Sequence, residues 1–134
     1  MGKKLEVLVA DDEQSIRTLL AQIISEDLDH NVTTAENGKD ALDKALSKQY
    51  DIIITDYHMP DMDGVEFYAK LKESGEYTNL GKRTIVFTSD KENFKMDLFH
   101  MGIDYTELSY LPKPFECKEL AEIIKEKARM FSQE

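Results

Sequence analysis

Four short stretches carry groups able to do chemistry, and each follows or ends an apolar run. Asp11-Asp12 follow Leu5 to Ala10, and Asp56 follows Ile52-Ile53-Ile54-Thr55. Thr88 ends the run from Thr84, and Lys113-Pro114 follow Leu108 to Leu111. Runs of this length and β-branched content read as buried strands. In parallel α/β sheets the C-terminal strand ends are where ligands bind. One crevice would then hold two acidic positions, a hydroxyl and an ammonium.

Three carboxylates in one crevice repel each other and stay ionised only beside a cation. Oxygen donors without Cys or His at ligand spacing favour Mg²⁺, with Mn²⁺ as a substitute, over Zn²⁺. Mg²⁺ typically takes one or two protein carboxylates. One carboxylate is then left to act as a nucleophile. Attack on phosphorus gives an acyl phosphate, an established form of covalent catalysis. Lys113 suits the charge on a transferring phosphoryl group, and Thr88 offers it a hydroxyl donor. Pro114 would fix the turn after the last strand, where a cis bond is admissible. Each residue also has a plainer reading. A strand-end Asp is often a helix cap, Thr88 a strand residue, Lys113 a solvated one and Tyr110 core packing. Four matched strand ends together weaken those readings.

Strand and helix patterns alternate along the chain. After the first strand, Ile16, Leu19, Leu20, Ile23 and Ile24 recur at helical spacing. Val32 to Ala35 is a polar strand suited to a sheet edge. Ala41, Leu42, Ala45 and Leu46 mark a second helix, with Gly38 near its start. A third opens at Asp63-Gly64-Val65 and stops at Ser74-Gly75. Phe94, Leu98 and Met101 mark a fourth, stopped by Gly102. Leu120, Ile123, Ile124, Ala128 and Phe131 mark a fifth. Strands one, three and four are nearly all apolar, as central parallel strands covered on both faces are. The expectation is a three-layer (βα)5 sandwich with right-handed crossovers, formed by residues 1–134 as one domain with no linker and no room for an output domain.

A chain of 134 residues with formal charge −10 argues against electrostatic nucleic-acid binding and fits cations or basic protein surfaces. The single cysteine, Cys117, rules out an internal disulfide and fits a reducing compartment. No apolar stretch reaches membrane-spanning length. The start, from Met1 to Glu6, lacks a signal-peptide core. Gly2 suggests myristoylation, but Glu6 stands where that motif has Ser or Thr. The expected location is cytoplasmic.

The stretches Val9-Ala10-Asp11-Asp12-Glu13, Asp56-Tyr57-His58-Met59-Pro60-Asp61-Met62-Asp63-Gly64, Thr88-Ser89 and Lys113-Pro114-Phe115 closely resemble the receiver domain of two-component response regulators. The single-domain chemotaxis type is the nearest, and the likeness spans nearly the whole chain. It implies a flavodoxin-like parallel sheet in the order 2-1-3-4-5. It also implies Mg²⁺-dependent phosphoryl transfer from a phosphohistidine to Asp56. By that resemblance Asp12 ligates the metal directly and Asp11 mainly through water. Asp56 is both ligand and acceptor, and the His58 backbone carbonyl completes the protein ligands. Lys113 pairs with the phosphoryl group, Thr88 swings toward it, and Tyr110 turns inward as an aromatic switch. Asp90 and the His58 side chain take positions that tune dephosphorylation. The implied partners are a sensor histidine kinase or histidine phosphotransfer protein and an unidentified output protein. Output would use the face of the fourth helix, fifth strand and fifth helix, as a monomer or a phosphorylation-dependent dimer. Such a protein is not an enzyme in the ordinary sense, since it acts only on its own phosphorylation. In one place the chain departs from the family pattern: Gly102 and Lys113 are a few residues further apart. Residues 103–107 thus read as an insertion or an extended helix, and Tyr105 becomes a rival to Tyr110.

Three other readings remain. Asp61-Met62-Asp63-Gly64-Val65 resembles the opening motif of haloacid-dehalogenase-type phosphatases, although Pro60 interrupts the strand that this motif needs. A receiver-like binding module that is never phosphorylated is another, though such modules usually lack one of the residues present here. Flavin binding is disfavoured, because Asp11-Asp12 would repel a phosphate.

Overall fold

The computed structural model describes residues 4–131; Gly2 lies outside them. Five parallel strands form one sheet in the order β2-β1-β3-β4-β5. They are β1 (Glu6–Ala10), β2 (Asn31–Ala35), β3 (Ile52–Asp56), β4 (Thr84–Thr88) and β5 (Ser109–Pro112). The helices are α1 (Gln14–Gln22), α2 (Gly38–Ser47), α3 (Gly64–Ser74), α4 (Leu80–Arg83), α5 (Lys91–His100) and α6 (Cys117–Phe131).

Strand periodicity divides the core in two. Leu8, Ala10, Ile53 and Val86 face a layer built by α2, α3 and α5, with Phe67, Tyr68, Phe94 and Leu98 at its centre. Val7, Val9, Ile52, Ile54, Ile85 and Phe87 face Leu20 of α1 and Leu120 and Ile124 of α6. Every residue of β3 and β4 is buried. Full burial of one such side chain contributes about 1.5–3 kcal/mol, so both layers are held firmly to the sheet. Strand β2 is half-exposed at an edge, as its polar sequence implies.

The structure departs from the sequence reading at several points. Strand β5 runs Ser109–Pro112 rather than Leu108–Leu111, because its first rung is Ile85 opposite Ser109. A sixth helix, α4, lies between α3 and β4, and four residues are too few to show a period. It follows Asn79, which has φ of 54°. The first helix continues as a π-helical segment, Ile23–Asp27, closed by Leu28 N–H to the Ile23 carbonyl. Residues 103–107 do not extend a helix. Helix α5 stops at His100, Gly102 has φ of 73°, and Tyr105–Glu107 form a 3₁₀ turn. Leu19, Leu46 and Met101, read as apolar-face positions, are 45%, 46% and 51% exposed.

Candidate functional site

Strand register sets the site. Ala10 pairs with Thr55, Asp56 with Phe87, and Thr88 with Pro112. Three of these strands therefore finish within about one residue of each other along the sheet. Backbone bonds carry the alignment past the strands: Asp11 N–H donates to Ala35, Tyr57 N–H to Phe87 and Lys113 N–H to Thr88. The Lys113–Pro114 bond is cis.

Helix α3 presses directly under Asp56. Gly64 N–H donates to the Tyr57 carbonyl at 2.8 Å. A Cβ on Gly64 would lie 2.4 Å from the Asp56 carbonyl oxygen, so any side chain there would force the backbone to shift. Asp63 caps α3 by accepting from Glu66 N–H. The Asp61-Met62-Asp63 segment thus belongs to the loop after β3, and Asp61 sits at no strand end.

Asp11, Asp12 and Asp56 place carboxylate oxygens within 4.8 Å of one another. No other such group of potential metal ligands is found among the described residues. Asp11 and Asp56 are buried, while Asp12 is exposed. Asp11 Oδ1 accepts from Glu13 N–H at 2.8 Å, and its carbonyl accepts from Arg17 Nη1 at 2.7 Å. Asp11 Oδ2 is buried without a hydrogen-bond partner among the described residues. Burial pushes the Asp11 carboxyl up to about 6, with the charges of Asp56 and Asp12 adding and Glu13 N–H and Lys113 opposing. Burial also raises Asp56, against the pull of Lys113. Lys113 Nζ stands 3.1 Å from Asp56 Oδ1 and 5.0 Å from the Phe87 ring centroid.

Thr88 is buried and its Oγ1 accepts from Asp90 N–H at 2.9 Å. Asp90 caps α5 through Asn93 N–H. The exposed His58 ring lies against Tyr57, with centroids 4.4 Å apart. Tyr110 is half-buried on β5 and stacked on Phe94 at 5.5 Å. Tyr105 is 44% exposed beneath Lys95 Nζ at 4.2 Å. Of the two tyrosines, Tyr110 is the one in the strand beside β4.

Sequence reasoning missed two groups. Arg17 meets the Asp11 backbone from α1, a contact that no motif announces. Glu107 accepts from Tyr68 Oη at 2.6 Å and Lys72 Nζ at 2.8 Å. It therefore anchors the extra residues before β5 to α3, across a long stretch of sequence.

A doubly wound parallel sheet in this strand order is the flavodoxin-like architecture, here with a carboxylate trio, a hydroxyl and a lysine at one end. The chain belongs to the response regulator receiver domain family, matched over residues 7–125, and is thereby a receiver domain of a two-component phosphorelay. It is 32% identical over 115 residues to the response regulator ArlR of Staphylococcus aureus (strain COL), covering 86% of this chain and 48% of that protein. It thus spans about half the length of such curated relatives. Chemotaxis protein CheY4 of Vibrio cholerae superposes with a TM-score of 0.78 at 28% identity, over 92% of this chain and 98% of that one. The receiver domain of the sensor histidine kinase PA1611 from Pseudomonas aeruginosa PAO1, which has a magnesium ion in its active-site cleft, superposes at 0.75. It is 22% identical and is matched over 95% of this chain and 99% of its own. Receiver domains are signalling modules.

Proposed function

We propose that Asp56 accepts a phosphoryl group from a phosphohistidine on a sensor histidine kinase or phosphotransfer protein. The observation that carries this reading is the Asp56 carboxylate, buried and paired with Lys113 at 3.1 Å beside the partnerless Asp11 Oδ2. An Asp56 oxygen forms the new P–O bond as the P–N bond breaks, and the imidazole leaves with a proton. Lys113 balances charge on the transferring group, and its pairing opposes the cost that burial places on the Asp56 charge. Thr88 then exchanges its Asp90 contact for a phosphoryl oxygen.

The donor set fits a hard divalent cation, Mg²⁺ or Mn²⁺. Asp11, Asp12, Asp56 and the His58 carbonyl would hold it, and Asp11 Oδ2 supports this because it lacks a hydrogen-bond partner among the described residues. When bound, the cation neutralises charge on the phosphoryl oxygens. Asp90 and His58 border the site and tune the lifetime of the acyl phosphate.

Output runs through α5, β5 and α6. These are the fourth helix, fifth strand and fifth helix of the sequence reading. Thr88 and Lys113 both border this face, and Tyr110 completes the switch. Its position against Phe94 of α5 supports it over Tyr105. The full protein is a cytoplasmic signalling component that recognises an output protein as a monomer or a phosphorylation-dependent dimer.

Phosphoramidate or acetyl phosphate with Mg²⁺ should give an acid-stable, base-labile phosphoprotein, and Asp56→Asn or chelation should abolish the label. Equal labelling of the Asn variant would sink the assignment. Phosphatase turnover of small esters would instead favour the haloacid-dehalogenase-type reading.

A further inference from the structure

Tyr57 follows the acceptor position, and its side chain runs beneath the site into the layer of α3 and α5. It is 3% exposed. Its hydroxyl donates to Oδ2 of Asp97, on α5. Burial, then this bond, hold the phenol well above its ordinary range, so it remains a donor. The Tyr57 ring meets Phe94 edge-on at 5.9 Å, and Phe94 stacks on Tyr110. Helix α5 is therefore fastened to the sheet crest at two places. One is its N-terminus, through Asp90 N–H on Thr88 Oγ1. The other is Asp97, about two turns later, on the residue after Asp56.

We propose that the Tyr57–Asp97 hydrogen bond is a latch that couples the position of α5 to the chemistry at Asp56. This rests on the reading of Asp56 as phosphoacceptor. A shift of Thr88 toward Asp56 releases only the N-terminus of α5. The body of the helix stays tied to β3 until Tyr57 lets go. The bond is present in the arrangement where Thr88 accepts from Asp90 and Lys113 pairs with Asp56, and the latch favours that arrangement because the bond breaks when α5 moves to the alternative. A hydrogen bond to a carboxylate is among the stronger kinds. Removing it lowers the cost of the alternative arrangement, and any ligand that prefers the alternative then binds more tightly.

The test is a beryllofluoride titration with Mg²⁺, comparing the wild type with Tyr57→Phe and Asp97→Ala. Tyr57→Phe keeps the ring and changes no charge, so agreement between the variants separates the hydrogen bond from long-range charge effects. The two substitutions also lie on different elements, so failure of one to fold leaves the other. Each should bind about fivefold more tightly, a coupling of about 1 kcal/mol. The double variant should gain nothing further, since both changes remove the same contact. Amide NMR shifts of α5 in each ligand-free variant should move toward their beryllofluoride-bound positions. A purely structural contact would lower stability and leave affinity unchanged. Affinities within about twofold of wild type, or an unmoved α5, would overturn the latch alone. A wild type that binds no beryllofluoride would overturn the acceptor reading and the latch with it.

Discussion

Asp11→Asn should make the metal-free protein more stable at neutral pH, although it damages the site. The wild-type carboxyl is buried, with one oxygen bonded to Glu13 N–H and the other without a partner. Its value of about 6 lies well above the ordinary 3.8. At about 1.4 kcal/mol per tenfold change in proton affinity, that difference amounts to about 3 kcal/mol before solvent screening. Asp12 at the same crevice is exposed, and solvent screening there reduces the figure to about 1–2 kcal/mol. The asparagine keeps the bond to Glu13 and loses the charge. Because the folded value is raised, the favourable contribution is complete below about pH 4 and is lost as pH rises through about 6. The advantage of the variant should therefore be full above about pH 7, about half near pH 5 and nearly gone near pH 4. Urea denaturation in chelator across that range measures it directly, and a melting shift of about 3–6 °C at neutral pH should accompany it. Saturating Mg²⁺ should narrow the gap, since a ligand of the folded state stabilises the wild type more. A variant no more stable than wild type at neutral pH, or a gain that does not change with pH, would refute the argument that burial of charge sets the stability of this site.

Gly64→Ala should destabilise the fold by about 2–3 kcal/mol, the scale of overpacking in a closed site, because the new Cβ would meet the Asp56 carbonyl at 2.4 Å. Thermal melting measures the loss, and phosphoramidate labelling should slow as the Asp56 loop shifts. His30 Nδ1 accepts from Leu5 N–H at 3.1 Å, and burial lowers its proton affinity against the pull of Asp29 and Asp51. Its contribution is thus present above about pH 6.5 and lost as pH falls through the depressed value. His30→Asn should flatten the acid side of the stability profile in urea titrations between about pH 7 and 5. Thr88→Ala should keep phosphorylation of Asp56 yet reduce the accompanying NMR shifts in α5 and at Tyr110. Full-size shifts in that variant would remove Thr88 from the switch.

The fold and the placement of the candidate site residues are legible in the sequence because both depend on local patterns. The apolar runs at Ile52–Ile54 and Thr84–Phe87 demand burial on both faces. Their C-terminal residues then fall at one end of a parallel sheet, which puts Asp56, Thr88 and Lys113 at strand ends. Where the pattern is short, it misled. Helix α4 has four residues, less than any period can reveal. Leu19 and Leu46 fit an apolar helical face but point partly to solvent, since periodicity gives the face and not the width of the groove it meets.

Other facts belong to tertiary structure alone. The burial of Asp11 Oδ2 follows from tertiary packing, and burial rather than residue type sets its proton affinity. Tyr57 and Asp97 are 40 residues apart, as are, nearly, Tyr68 and Glu107. Their meetings are fixed by the packing of α5 against the end of β3 and of the turn before β5 against α3. A sequence lists donors and acceptors, and local periodicity assigns them to elements. Which of them meet across elements depends on how far each helix slides along the sheet, and that is settled by the whole core at once.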